Sequence, residues 1–377
     1  MGEHSRQQKR QFNHGQDLPR MRLPGPEANK QSTNSGAMLL SRKAKQMKKL
    51  QTNEPGIAVG QPFKPTTRIG IYQERRIPMN RHTRRIILSM AAVVLAGLAM
   101  AAPRPATAQY AFTTIDFPGA AGTEVLGFST RTMVGDFVDA GGNNHGWLLS
   151  AQSGNFLQYD VPGAWFTSLS AINHRGQKGG VYRDDPAHPA RRHGFIMVND
   201  VLTTIDYPGS TRTSIVQMND RGQAVGIGRI PSEGATTPYG FLWQDGVFTD
   251  VSFPGAFGTG LDGINTQGDV CGFTTDAAGG LTHAMMRVNG VFSHVEPTGA
   301  IDSIALSIND RGQVAGWYDD ALGNTHGFIY YQGVLTTIDP PGALASEISS
   351  IDNAGVIVGD YIGADGIDHG FIGMPQH

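Results

Sequence analysis

A repeat of about 44 residues runs from residue 111 to the carboxyl end, and it constrains the fold more than any other feature. A clear copy spans residues 303–343 and holds four short runs rich in Val, Ile, Tyr, Phe and Thr. Asn309-Asp310-Arg311-Gly312 separates the first run from the second, and Gln332-Gly333 separates the third from the fourth. Short runs of this composition, punctuated by Gly, Asn and Asp, predict strands rather than helices.

Three motifs recur at the same offsets in successive copies. An Asn-x-x-Gly turn follows the first run, a His-Gly-Phe sequence begins the third, and a Pro-Gly corner ends the fourth. The histidines of the second motif are His145, His193, His283, His326 and His369, and Tyr239 takes this position in one copy. Four Asn-x-x-Gly turns, the variant Asp352-Asn353-Ala354-Gly355 and a first copy that lacks the turn give six copies, each expected to be a four-stranded antiparallel unit.

The two ends of the repeat array are complementary. The array opens with a lone fourth strand at 112–116, and the last copy stops after its third strand at 369–373. An open array would leave exposed edges, whereas a ring needs its last unit to be completed by the first strand. We therefore predict an all-β fold, a six-bladed β-propeller over 109–377 that is closed by strand exchange between its ends.

The spaced pattern also resembles a known family. Asn-Asp-x-Gly, then His-Gly/Ala-Phe, then Asp-Phe/Tyr-Pro-Gly recurs over about 111–373, and this is similar to the HAF family of bacterial extracellular repeats. The resemblance implies an exported, propeller-like repeat protein. It brings no catalytic residues with it.

Residues 79–108 read as an export signal. A basic segment follows Met79, an apolar run covers 86–102, and Ala106-Thr107-Ala108 forms a cleavage site before Gln109. We expect translation to begin at Met79, cleavage after Ala108, and a mature protein that is secreted, periplasmic or on the cell surface. The alternative is a single membrane anchor with 1–78 in the cytoplasm, since positive charge on that flank suits this orientation. In the first reading the mature form has no membrane span.

Charge is distributed unevenly along the chain. Residues 1–78 carry 15 Lys and Arg against 5 Asp and Glu, and their polar, aperiodic composition predicts disorder. Residues 109–377 carry 11 basic and 27 acidic residues. Binding to nucleic acid needs basic surfaces that so acidic a domain is not expected to offer. We expect a monomer that binds an extracellular ligand, either a glycan or a protein.

The recurring histidines follow Asp-rich loops, so metal ligation must be weighed. No two histidines have the spacing of a ligand pair, and separate blades would hold them apart. We expect each imidazole to bond to backbone within its own blade, with no metal site and no cofactor.

Long and variable loops, including 183–192 and 229–238, are predicted on one face of the ring. Connections from the second to the third strand and from the fourth to the next first strand share this face, and binding residues concentrate on such loops. Aromatic rings there could stack on sugars while charged groups bond around them, or the rings could pack on neighbouring corners with the charges solvated. The candidates are Trp165, Phe166, Asp184, Asp185, Arg191, Arg192, Arg212, Arg229 and Phe257.

Asp262 breaks its column in the repeat. The other copies place Leu126, Ser170, Val216, Leu306 and Ser349 there, in the innermost strand. A pair made of Asp262 with Glu124 or Glu347 could act as general acid and base. The leading expectation is a binding or scaffold module, and the alternative is a carbohydrate-active hydrolase or lyase that uses these carboxylates.

Overall fold

The computed structural model describes residues 110–376 apart from 233–234 and 277–279. Within these residues the chain forms 24 strands, all of which belong to four-stranded antiparallel blades arranged as a six-bladed β-propeller. None of the described residues builds a helix able to span a membrane. The predictions for 1–78 and for the export signal at 79–108 lie outside the described residues.

Blades 1, 2 and 3 take twelve strands in chain order, after a first strand β1 at Tyr110–Ile115. Their bounds are β2 Gly122–Phe128, β3 Thr132–Val138, β4 Asn144–Ser150, β5 Phe156–Tyr159, β6 Phe166–Ile172, β7 Lys178–Arg183, β8 His193–Val198, β9 Val201–Ile205, β10 Arg212–Met218, β11 Ala224–Ser232, β12 Ala235–Gln244 and β13 Val247–Val251. Blades 1 and 2 are also joined by a parallel pairing of Asn144 with Phe166.

Blades 4, 5 and 6 follow in the same way. Their bounds are β14 Gly258–Ile264, β15 Val270–Thr275, β16 Thr282–Val288, β17 Val291–His294, β18 Asp302–Ile308, β19 Val314–Asp319, β20 Thr325–Tyr331, β21 Val334–Thr337, β22 Ala345–Ile351, β23 Ile357–Ile362 and β24 Asp368–Pro375. The first strand of each blade lies innermost and contacts the first strands of its two neighbours, including β22 with β2.

The ring closes by strand exchange, as the sequence predicts. Blade 6 has the order β22, β23, β24, β1, so the first strand of the propeller is the outermost strand of its last blade. Phe112 pairs with Gly373 and Ile115 with Gly370. Because both edges that an open array would expose are paired, closure also removes a site for edge-to-edge aggregation.

The His-Gly-Phe motif builds the contacts between blades. Its third residue is fully buried in every blade, and the set is Trp147, Phe195, Phe241, Met285, Phe328 and Phe371. The preceding glycine lets the next blade approach. A Cβ atom on Gly370 would lie 2.5 Å from a side-chain carbon of Val125, and one on Gly327 would lie 2.9 Å from Ile348. The motif is therefore a packing device of the scaffold.

The Asn-x-x-Gly turns also link neighbouring blades. In each such turn the asparagine Oδ1 accepts backbone N–H groups of its own turn, for example those of Arg311 and Gln313 at Asn309. Its Nδ2 donates to the backbone carbonyl of the next turn along the ring. These bonds measure 3.0 Å from Asn173 to Asn219, 3.0 Å from Asn219 to Asn265, 3.3 Å from Asn265 to Asn309 and 2.8 Å from Asn309 to Asp352. The turn asparagines predicted from sequence thus also join successive blades.

Every innermost strand carries one irregularity at the same place. The pairing register between the first and second strands shifts in all six blades, leaving one extra residue in the first strand. These residues are Leu126, Ser170, Val216, Asp262, Leu306 and Ser349. A β-bulge changes the direction in which its side chain points. Asp262 and its equivalents in the other five blades are therefore all bulge residues.

Candidate functional site

The candidate site lies on the face that carries the second-to-third and fourth-to-first connections, here called the long-loop face. In blade 3 the second connection differs from the sequence prediction. The segment 229–238 was predicted as a loop, but it continues β11 and β12 as a ribbon in which Arg229 pairs with Pro238. The ribbon forms because Thr and Ile residues in it suit strands.

Four arginines from blades 2 and 3 come together on this face. Arg212 begins β10 and is the cross-strand partner of Arg229 in β11. Arg192 precedes β8 and forms a parallel β-bridge with Arg212. Its backbone N–H donates to the backbone carbonyl of Thr211 at 3.3 Å. Arg183 ends β7 and is close enough to lower the pKa of Arg192. We call Arg183, Arg192, Arg212 and Arg229 the arginine cluster.

Burial and mutual repulsion disfavour the charged forms of two arginines in the cluster. Burial, followed by repulsion from Arg183, Arg229 and Arg212, lowers the pKa of Arg192 to about 9. Burial and Arg212 lower the pKa of Arg229 to about 10, against the attraction of Asp262. Both side chains therefore stay charged at neutral pH. Burying like charges costs stability, and at Arg192 burial and all three neighbouring arginines act in that direction.

Two aromatic rings flank the cluster at the blade 2 corner. The guanidinium carbon of Arg183 lies 4.4 Å from the ring centre of Phe166 and 5.5 Å from that of Trp165. The two rings meet edge to face at 6.2 Å, and Trp165 is 40% exposed. The arrangement combines cation–π contacts with an open aromatic surface beside positive charge.

Asp262 lies next to the cluster in blade 4. Burial raises the pKa of Asp262 to about 7, although Arg229 works in the opposite direction. Its Oδ2 atom is buried and accepts no hydrogen bond within the described part of the chain. A carboxyl with such a pKa exchanges its proton near neutral pH, which is the property that a general acid or base needs.

The other predicted loop residues serve their own loops. Asp184 lies 3.5 Å from Nε2 of His193, and Asp185 lies 2.7 Å from Nδ1 of His188. Arg191 is exposed, and its N–H donates to the carbonyl of His188. Phe257 is 43% exposed at the blade 4 corner, two blades away from Trp165. The structure therefore brings Phe166, Trp165, Arg192, Arg212, Arg229 and Asp262 together, and leaves these four apart.

Glu124 and Glu347 do not join Asp262. Glu124 belongs to blade 1, opposite blade 4 in the ring, and Glu347 belongs to blade 6. Glu124 lies instead with Asp360 and Asp368, each offering one oxygen within 4.8 Å of the others. This spacing could hold a divalent cation. Asp136 is beside them, and burial followed by Glu124 raises its pKa well above the usual range.

The recurring histidines of the His-Gly-Phe motif, here called the histidine column, bond to carboxylates. The sequence interpretation, in which each imidazole bonds to backbone, was wrong. In five blades the imidazole Nδ1 lies 2.8–3.1 Å from the acid that precedes the Pro-Gly corner. The pairs are His145–Asp160, His193–Asp206, His283–Glu296, His326–Asp339 and His369–Asp116. In blade 3 both partners change, to Tyr239 and Ser252. The corner acid competes better than a carbonyl because its bond is charge-assisted.

Sequence reasoning missed two parts of this face, although the repeat contained a signal for each. Arg183 occupies the same position of the second strand as Arg229, where other blades have Val138, Thr275, Asp319 and Ile362. Asp136 and Asp360 follow Gly135 and Gly359, at a position that is apolar in the other four blades. Comparing columns of the second strand would have found both.

Comparisons with known proteins agree on the fold only. No protein-family model and no curated protein matches the chain. Among solved structures, TolB from Acinetobacter baumannii is 11% identical with a TM-score of 0.46, over 67% of this chain and 66% of TolB. The β-propeller domain of the Trilobed protease from Pyrococcus furiosus, described as having an open velcro topology, is 9% identical with a TM-score of 0.42, over 68% and 95%. A fucose-specific lectin from Aleuria aurantia is 10% identical with a TM-score of 0.40, over 69% and 89%.

Proposed function

We propose that this chain is an exported, HAF-like repeat propeller that binds an extracellular glycan on its long-loop face. The export signal at 79–108 and the repeat pattern support the location. The arginine cluster supports the binding role, because Arg192, whose charge is costly to bury, gathers with three other arginines beside an exposed tryptophan. Polar groups that are poorly placed for stability are commonly placed for function.

Glycan-array binding by the purified full chain tests this proposal. We expect binding to a subset of glycans, and at least tenfold weaker binding by Trp165→Ala, because stacking on the exposed ring would be lost. Val291→Ala trims a side chain that is 70% exposed at the third-to-fourth turn of blade 4, on the opposite face, and this control should bind as the wild type does. An array without binding, or equal binding by both variants, would contradict the proposal. A protein ligand captured at the same face would replace the glycan.

A hydrolase or lyase is the second candidate, and the observation that favours it is the pKa of Asp262, about 7. In this reading Asp262 acts as general acid or base on a glycan bound across the arginine cluster. Product formation from a bound glycan, lost in Asp262→Asn with binding retained, would establish it. If bound glycans stay intact over prolonged incubation, the enzyme candidate fails and the binding-module proposal stands.

A further inference from the structure

The arginine cluster stands out against the charge of the domain. Residues 109–377 carry 11 basic residues, and four of them form this one cluster. An acidic protein surface repels acidic ligands at long range. A local group of arginines therefore has a role that general charge balance does not supply.

Arginine donors in the cluster are incompletely used. The Nε atoms of Arg183 and Arg192 are both buried and donate no hydrogen bond among the described residues. An unused buried donor destabilises the fold. An anionic oxygen that approached the half-buried guanidinium groups would relieve the repulsion that lowers the pKa of Arg192.

The geometry of the donors favours a particular anion. A guanidinium presents its N–H groups in a planar fork, which matches the paired oxygens of a carboxylate or a phosphate, and of these two the carboxylate is the one that a sugar ring carries directly. Arg183 and Arg212 are half-buried, so part of each side chain remains accessible. Arg183 is held against the ring of Phe166 at 4.4 Å, and this contact fixes where its fork points.

An aromatic surface adjoins these donors. Trp165 precedes β6, and its backbone N–H donates to the backbone carbonyl of Arg183 at 2.9 Å, which places the corner that carries the exposed indole beside the cluster. Sugar rings stack on exposed indoles through their apolar C–H faces. A ligand with a carboxylate on a sugar ring would satisfy both elements at once.

We propose that the glycan bound on the long-loop face is acidic, and that the arginine cluster holds a uronate carboxylate while Trp165 stacks on a sugar ring. The inference rests on the proposed function and narrows it to a substrate class. Neutral glycans of the same backbone would lack the group that the cluster is built to accept.

Calorimetric titration of the purified full chain with oligogalacturonate tests this inference, with fully methyl-esterified oligogalacturonate as the neutral counterpart. We expect the free acid to bind at least tenfold more tightly than the ester, and binding to weaken as salt rises. Arg192→Gln should weaken binding at least tenfold. Arg183→Lys, which keeps the charge but loses the fork, should weaken it less. The control is Arg311→Gln, an exposed arginine on the tight-turn face.

Each outcome separates this inference from the function on which it rests. Equal binding of the acid and the ester, with loss in Trp165→Ala, would keep a glycan-binding site and overturn the acidic ligand. Preference for a sulfated glycan over both would also overturn the uronate assignment. Failure of all these glycans, together with an empty array, would overturn both. If Arg192→Gln does not fold, the acid-to-ester ratio and the salt dependence of the wild type decide the question.

Discussion

The imidazole Nδ1 of His369 lies 3.0 Å from a carboxylate oxygen of Asp116, although 253 residues separate them in sequence. Asp116 follows β1 and His369 is in β24, so this pair clasps the two strands that close the ring. Nε2 of His369 also lies 3.1 Å from Asp365. The other four histidine pairs of the column lie within one continuous stretch of chain, and this pair alone spans the closure.

Ring closure should therefore depend on pH. Burial disfavours the charged imidazole, but Asp116 and Asp365 outweigh burial and raise the pKa of His369. A raised pKa means that the pair stabilises the fold fully below about pH 6.5, the usual histidine value. The contribution is then lost as pH rises through the folded pKa. Asp116→Asn should lower the free energy of unfolding by about 1 kcal/mol or less at pH 6, and by less at pH 9, as measured by denaturant unfolding.

Asp160→Asn is the matched control, since it makes the same exchange at His145 inside blade 1. Limited proteolysis should cut between β1 and β2 faster in Asp116→Asn than in this control. Equal rates of cleavage would show that the clasp does not hold the first strand.

Asp262 predicts a second loss of stability with rising pH, over a lower range of pH. The folded protein keeps the Asp262 proton up to about pH 7, whereas the unfolded chain releases it near pH 4. The wild type should therefore lose stability as pH rises between these values. Asp262→Asn should remove about 2–4 kcal/mol of that loss, measured as the difference between the free energies of unfolding at pH 5 and pH 8. Asp276→Asn, an exposed carboxylate in the same blade, should leave the difference unchanged. Identical pH profiles for wild type and Asp262→Asn would refute the assignment.

Asn309 allows the bond between blades to be separated from the turn. Asn309→Asp keeps the oxygen that accepts the N–H groups of Arg311 and Gln313, but it replaces the donor to the Asp352 carbonyl, which also donates to Oε1 of the Gln313 amide, with an acceptor. The Gln313 amide can turn its Nε2 toward the new acceptor, whereas the Asp352 carbonyl cannot. Two acceptors would then face each other in a buried place, at a cost of about 1–3 kcal/mol. Thermal unfolding measures this cost. A melting midpoint equal to that of the wild type would mean that the link between the blade 5 and blade 6 turns contributes nothing.

Blade 3 offers a constructive test of the histidine column. Tyr239→His with Ser252→Asp would restore the pair that the other five blades carry. A double-mutant cycle should give a favourable coupling of about 0.2–1 kcal/mol at pH 6. Each single change alone should be neutral or destabilising, because Tyr239 loses its stacking on Tyr207 at 6.3 Å. Zero coupling would show that blade 3 does not share the geometry of the column.

Much of the fold could be predicted from the sequence because each copy of the repeat can be compared with the other five. Strand order, the six blades and the pairing of β1 with β24 all follow from motif spacing and from the incomplete copies at the two ends. Asp262 differs from the equivalent residues of the other copies, and this difference can be seen in the sequence alone. These features are periodic, and six copies of one unit supply an internal alignment.

The candidate site was less accessible because it depends on contacts between different copies. Arg192 and Arg212 meet through a bridge between blades 2 and 3, and no pattern within one repeat contains that bridge. The corner acids were missed for a different reason. Each lies 13 or 15 residues after its histidine, or 253 before it, and their joint replacement at Tyr239 and Ser252 was the available sign.

The pairing of Tyr110 with Pro375 places the two ends of the propeller side by side as neighbouring strands, about 5 Å apart. A short hairpin could connect them covalently, and new ends could then be opened at the turn between the third and fourth strands of another blade. Such circular permutants would keep every strand pairing and would only relocate the break in the chain. The fold therefore does not depend on where along the ring the chain begins. In space each blade contacts its two neighbours in the same way, although in sequence blade 6 is assembled from both ends of the repeat array.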